Sequence, residues 1–265
     1  MLLKGREAVF NQFIREYETI RRAEGRGSQN ANYYQSLPYH ILSQRQNADW
    51  HIRAASYGAF LKQVLLPMEG GGAPLSILDL GAGNSWLSNC LAKRGHNLAA
   101  VDILTNDFDG LGCWRYYESA FTPVQAEFDQ LPFKDQGIDL VVFNASLHYS
   151  TCYEKTLREA LRIINSTGKL VVLDSPYYHA DVSGQKMVQE RESQFTSQYG
   201  FPSNALPSEN YFTYERLAEL SVKLQLNCQI ITPAYGIRWA MRPFKARFLR
   251  QREPAKFHLV IFTRQ

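Results

Sequence analysis

Between residues 76 and 174 the sequence repeats one pattern, a short run rich in Val, Ile and Leu followed by a stretch of helical period. The runs are SILDL at 76–80, NLAAVDI at 97–103, TPVQAEF at 122–128, IDLVVFN at 138–144 and KLVVLD at 169–174. Nearly continuous apolar residues imply strands buried on both faces. Their alternation with helices implies parallel strands joined by crossovers. Right-handed crossovers leave few ways to order them. A helix follows the first run to about Arg94, and TLREALRIIN at 156–165 sets Leu157, Ala160, Leu161 and Ile164 on one face. The fold class is therefore α/β, an open and mostly parallel sheet.

The flanks depart from this alternation. Residues 6–24 carry Val9, Phe10, Phe13, Ile14, Tyr17 and Ile20 at helical period, and EGRGSQN then reads as a loop. Residues 31–66 are dense in aromatic and basic side chains: Tyr33, Tyr34, Tyr39, His40, Trp50, His51, Arg53, Tyr57 and Phe60. Asp49 to Leu66 reads as a helix, and GGGAP at 70–74 as a hinge. Residues 1–72 are thus an N-terminal helical cap ahead of a domain at 73–265. After the fifth run, 181–200 reads as a polar helix and 214–225 as another. CQIITP at 228–233 and KFHLVIFTR at 256–264 then read as a terminal antiparallel hairpin on the sheet edge. Insertions fall at about 176–212 and 236–254.

The net charge of +4 is small, but it is concentrated. GIRWAMRPFKARFLRQRE holds Arg238, Arg242, Lys245, Arg247, Arg250 and Arg252 before its first acid, Glu253, with Trp239, Phe244 and Phe248 interleaved. Such a patch suits phosphates or another anion. The low overall charge argues against a broad nucleic-acid footprint. No stretch approaches the roughly 18 apolar residues of a membrane span. The start, MLLKGREAVF, does not read as a secretion signal. Cys90, Cys113, Cys152 and Cys228 form no C-x-x-C pair, which suits a reducing compartment. The expectation is a soluble cytoplasmic protein with no metal site, since the Asp and His residues lack ligand spacing.

ILDLGAGNSWLS at 77–88 is a strand, a turn with Gly81 and Gly83, and a helix start. Such a turn brings backbone N–H groups close to a ligand. A dinucleotide fingerprint needs Gly or Ala three residues after Gly83, and Trp86 stands there. Asp102, ending the second strand, can accept from both hydroxyls of a ribose. These features say nucleoside without choosing its kind.

VQAEFDQLPFKDQGIDLVVFNASLHY at 124–149 chooses. Together with ILDLGAGNSWLS, VDI and RIINSTGKLVVLD, it closely resembles the class I S-adenosylmethionine-dependent methyltransferases over about residues 75–175. The resemblance implies a Rossmann-like seven-stranded sheet, with S-adenosylmethionine as cofactor and S-adenosylhomocysteine as product. It implies that Asp79, Gly81, Ala82 and Gly83 form the donor loop, that Asp102 and Ile103 hold the ribose, and that Glu127 and Phe128 hold the adenine. Asn144 would lie near the donor methionine. Ser85 stands where the family often has a third glycine, and Ser still suits a helix start.

The acceptor is expected to be a small or medium-sized molecule carrying an anionic group, with nucleic acid disfavoured. His148 is the candidate base, against a histidine that only shapes its loop. Tyr149, Tyr177, Tyr178 and His179 are candidates for the acceptor pocket, against plain packing, and Arg242 for an anionic group. Residues 31–66 are either a layer packed on the sheet or a lid with Arg53 or Tyr57 near the donor carboxylate. Alternatives are a non-catalytic donor-binding subunit, a nucleic-acid or protein methyltransferase, and a nucleotide-dependent oxidoreductase.

Overall fold

The computed structural model describes residues 5–39 and 47–265, with the side chain of Asn47 set aside. His40 lies outside the described residues. The chain begins with α1 (Glu7–Ala23), α2 (Ala31–Ser36), α3 (Asn47–Phe60) and, beyond a π-helical turn at Leu61–Leu65, α4 (Leu66–Glu69). There follow β1 (Ser76–Leu80), α5 (Trp86–Ala92), β2 (Asn97–Asp102), a 3₁₀ turn at Leu111–Tyr116, β3 (Thr122–Gln125) and β4 (Ile138–Asn144). Next are α6 (Tyr153–Ile163), β5 (Ile164–Leu173), β6 (Tyr177–Tyr178), α7 (Asp181–Tyr199), β7 (Phe212–Thr213) and α8 (Tyr214–Lys223). The chain ends with β8 (Leu226–Ile231), α9 (Ile237–Ala240), α10 (Arg242–Phe248) and β9 (Leu259–Arg264).

The seven-stranded sheet has the order β3-β2-β1-β4-β5-β9-β8, and β6 pairs with β7 apart from it. β1 to β5 are parallel, while β9 runs antiparallel between β5 and β8. This is the expected Rossmann-like sheet with its terminal hairpin. Successive strand residues bury against opposite layers, as a two-residue period requires. Leu78, Leu80, Val141 and Phe143 pack with Leu157 and Ala160 of α6 and with Leu217 and Leu220 of α8. Ile77, Leu140 and Val142 pack on the other face, with Leu87 and Leu91 of α5.

Residues 31–66 enter that second layer. Trp50, Tyr57 and Phe60 of α3 are buried there. Trp86, whose size argued against a dinucleotide turn, meets Trp50 edge-on at 5.9 Å and Tyr57 at 5.8 Å. The described part of the segment is therefore a packed layer. Arg53 lies over Trp50, 4.9 Å from the ring centroid, and Tyr57 is in the core. The helix that covers the carboxyl ends of the strands is α1.

Strand order reverses between β1 and β4: β2 lies to one side of β1, and β4 leads on to β5 on the other. Open α/β sheets bind ligands in the crevice outside such a switch point.

Candidate donor and acceptor cavities

At the end of β1 the chain reverses through Gly81 (φ +75°) and Gly83 (φ +51°) into α5. The N–H groups of Gly81 and Ala82 donate to the Val101 carbonyl at 2.8 and 3.1 Å, tying the turn to β2. A Cβ on Gly81 would collide with the Ser146 side chain and come within 3.2 Å of Phe128 Cζ. Glycine there leaves bare backbone facing a cavity. Ser85 is left-handed at φ +62° and does not cap α5. The Trp86 N–H instead donates to Asn84 Oδ1 at 3.3 Å, so the expected capping role of Ser85 is corrected.

The cavity and its open mouth span about 700 Å³. Its floor includes Gly81, Gly83, Asp102, Ile103, Glu127 and Phe128. Asp79 and Ala82 support the turn from beneath and do not line it. The Asp102 carboxylate accepts from Gly83 N–H through Oδ2 and from Leu104 N–H through Oδ1, both at 2.8 Å. Burial pushes its pKa up to about 6, against the pull of those N–H groups. Asp79 accepts from Ser88 Oγ at 2.8 Å, and burial pushes it up to about 7. Its Oδ1 has no hydrogen-bond partner among the described residues.

Glu127 is buried and accepts from Arg6 Nη1 at 3.0 Å, while its Oε1 has no partner among the described residues. Burial raises its pKa and Arg6 opposes that rise. Phe128 packs edge-on against Phe143 at 5.4 Å. Past the end of β4, Ala145 (φ +53°) and Ser146 line the cavity, and Asn144 does not. Ser146 Oγ donates to the Leu80 carbonyl at 2.5 Å, clipping the ends of β1 and β4 together.

The roof is α1 with the preceding Arg6, and Arg6, Phe10, Phe13 and Tyr17 line the cavity from that side. Its first end is held by Arg6 on Glu127 and its last by Arg21 Nε on Asp109 at 2.5 Å. The helical period marked α1 as a helix. The residues it would cover were not marked, because those partners are 121 and 88 positions away.

A second cavity of about 1000 Å³ lies between α1, α7 and residues 203–210. Phe13, Tyr17, Tyr149 and Leu206 line both cavities. Arg21 and Arg191 line the second, with Glu24 and Glu192. Arg191 Nη2 donates to Asn210 Oδ1 at 2.8 Å, and its Nε has no partner among the described residues.

The remaining candidates separate. Tyr149 stands at the junction of the cavities. His148 lines neither; its ring lies 4.4 Å from that of Tyr149 and its Nδ1 is 3.4 Å from Ser175 Oγ. Burial, with Arg191 and Arg53 nearby, lowers its pKa to about 3, so the imidazole is neutral. Tyr177 is in the core, 5.1 Å from the Phe212 ring and outside both cavities, because β6 pairs with β7 over α6. Tyr178 is buried beside Tyr211, and His179 is exposed. Arg242 lies over Trp239 at 3.7 Å, away from both cavities.

Asp174 gave no sequence signal. It follows β5 in a left-handed conformation (φ +51°) and accepts from Ser56 Oγ at 2.5 Å. Its Oδ2 has no partner among the described residues, and burial pushes its pKa up to about 6. Strained backbone at a non-glycine residue marks sites that the surroundings over-determine.

Residues 78–172 match the family model described as "Methyltransferase domain". The malonyl-[acyl-carrier protein] O-methyltransferase of Buchnera aphidicola is 31% identical over 97 residues, 37% of this chain and 38% of that protein. The ubiquinone/menaquinone biosynthesis C-methyltransferase of Vibrio vulnificus is 29% identical over 121 residues, 43% of this chain and 46% of that protein. The chain thus spans less than half the length of the curated relatives it matches. Among solved structures, a protein from Galdieria sulphuraria described as a putative sarcosine dimethylglycine methyltransferase aligns over 93% of this chain and 97% of its own. Its TM-score is 0.56 at 13% identity. An S-adenosylmethionine-dependent methyltransferase from Mesorhizobium loti aligns over 82% and 98%, with TM-score 0.54 at 17% identity. At such identities the structures speak to the fold.

Proposed function

We infer, from a chain whose residues 78–172 match a methyltransferase domain, that the protein is a class I S-adenosylmethionine-dependent methyltransferase acting on a small or medium-sized acceptor. The carrying observation is the Asp102 carboxylate. Backbone N–H groups of Gly83 and Leu104 fix it at 2.8 Å, with that of Ile103 beside them, so the carboxylate is held in place on the cavity floor to accept from a vicinal diol. Gly81, where a side chain would collide with Ser146, and Glu127, whose Oε1 has no partner among the described residues, line the same cavity. We assign Gly81 and Gly83 to the methionine part, Asp102 and Ile103 to the ribose, and Glu127 and Phe128 to the adenine. Asp79 braces the turn.

S-adenosylmethionine supplies an electrophilic methyl group on a sulfonium. The protein's part is in-line placement and exclusion of water. Phe10, Phe13 and Tyr17 give the donor cavity an apolar roof. The acceptor enters through the second cavity and meets the donor at Phe13, Tyr17, Tyr149 and Leu206. Arg191, which lines the second cavity beside Arg21, is the group we assign to an anionic function on the acceptor. His148, neutral and tilted at 37° against the Tyr149 ring, positions that ring; it reaches neither cavity to take a proton directly. The relatives' names mention transfer to oxygen and to carbon, so they do not select the methylated atom.

Calorimetric titration with S-adenosylmethionine, S-adenosylhomocysteine and NAD in parallel tests the reading. Binding of the two sulfur compounds without NAD is expected. Binding of NAD alone would overturn it.

A further inference from the structure

The basic segment takes no part in either cavity, yet it is the most conspicuous surface of the molecule. Twelve large apolar residues are exposed among the described residues, and five of them fall at Ile237, Met241, Phe244, Phe248 and Leu249. Ile237 is 75% exposed, Phe244 68% and Phe248 87%. α9 and α10 run almost as one helix. Met241 N–H bonds to the Ile237 carbonyl at 3.0 Å, and Lys245 N–H to the Met241 carbonyl at 3.1 Å. At about 100° per residue, Ile237, Met241, Phe244 and Phe248 fall within a stripe about 60° wide.

The opposite side of the helix is anchored. Trp239 packs on Tyr235 at 5.1 Å and on Phe257 at 5.4 Å, and Ala246 is buried. The apolar stripe therefore points away from the body by construction. Cations edge it on both sides, Arg238 and Lys245 on one and Arg247 on the other. No salt bridge pairs these three or Arg250 among the described residues, whereas Arg252 is bound to Glu190 at 2.6 Å. Residues 236–252 contain six cations and no acid.

We propose that residues 236–250 are a membrane-surface anchor. The helix would lie in the plane of an anionic lipid bilayer, with Ile237, Met241, Phe244 and Phe248 in the acyl boundary and Arg238, Lys245 and Arg247 at the phosphates. A convex apolar stripe between two rows of cations complements a surface that is apolar beneath an anionic layer. A nucleic acid would use the cations and leave Phe244 and Phe248 in water. Among the described residues no helix is long and apolar enough to cross a membrane, and the anchor needs none.

Co-sedimentation of the full chain with vesicles tests this. The probes are pure phosphatidylcholine and a phosphatidylcholine–phosphatidylglycerol mixture. Binding to the mixed vesicles should exceed binding to the neutral ones by about tenfold or more and fall as salt is raised. The double variant F244E/F248E should abolish binding with an unchanged melting temperature, since both side chains are exposed. The charge variant R238E/K245E/R247E should lose the preference for the anionic mixture. Equal or absent binding to both vesicle types would overturn the proposal. So would concentration-dependent self-association that F244E/F248E removes, because a second copy would then cover the stripe. None of these readouts depends on methyl transfer.

Discussion

Replacing Asp102 by Ala tests the site where its geometry is most explicit. The carboxylate is buried and held by two backbone N–H bonds of 2.8 Å, so its remaining lone pairs are already aimed when a ligand arrives. Two hydroxyls bonding to them would form charge-assisted bonds worth at least about 1.5 kcal/mol each. Losing both removes about 3 kcal/mol, or roughly a hundredfold in affinity. D102A also leaves the Gly83 and Leu104 N–H groups without their acceptor, which loosens the donor turn and adds to the loss. The assay is titration calorimetry with S-adenosylhomocysteine, beside a melting curve to show that the variant is folded. D102N should lose less, because one carbonyl oxygen still accepts from a backbone N–H. A folded D102A protein whose affinity stayed within twofold of the original would refute the ribose assignment.

In G81A a left-handed alanine costs about 1–2 kcal/mol, and its Cβ must displace Ser146 or Phe128; S-adenosylhomocysteine affinity should drop at least tenfold, as titration would show. Asp79 holds its proton up to about pH 7 when folded but only to about pH 4 when unfolded, so stability should fall by a few kcal/mol as pH rises across that window and stay level above it. In D79N that slope should shrink, and the variant should melt higher than the parent at pH 8 and similarly at pH 4; an unaltered slope in thermal melts would show that Asp79 is not its source. The roof reading predicts that S-adenosylhomocysteine slows tryptic cleavage at the exposed Arg15 and Arg22 of α1, and equal cleavage rates with and without it would argue that α1 stays shut or open regardless.

Much of the sheet was legible because burial on both faces leaves little choice of side chain. The runs at 76–80 and 138–144 are the strands themselves. β5 starts at Ile164, five residues before its apolar run, because Ile164 pairs with Ile138 ahead of the irregularity that ends at the Leu140–Lys169 pair, and INSTG carries no strand period. β3 stops at Gln125, and Ala126–Phe128 turn into the site. Gly81, Gly83, Asp102, Ile103, Glu127 and Phe128 meet at one cavity because each lies at or just past the carboxyl end of a strand, which a strand pattern does locate. The roof and the second cavity were not, because they depend on contacts such as Arg6–Glu127 that no local pattern encodes. Tyr177 misled for a related reason: following a strand end says nothing of which layer a ring enters, and Tyr153 and Phe212 draw it into the core.

The acids near the donor turn also bear on how the two sulfur compounds should differ. Asp79 and Asp102 both retain protons above the ordinary carboxyl range because burial disfavours their charge. S-adenosylmethionine brings a fixed positive sulfonium, whereas S-adenosylhomocysteine is a neutral thioether. A cation placed beside the Gly81–Gly83 turn favours the ionised carboxylates, so donor binding near pH 6 should expel a fraction of a proton and product binding less. Near pH 8 both acids are already ionised, and the difference should vanish. Calorimetric titrations in two buffers of unlike ionisation enthalpy read the proton count directly. Equal proton release by the two compounds at pH 6 would mean that the sulfonium lies far from these acids, and the assignment of Gly81 and Gly83 to the methionine end would have to be given up.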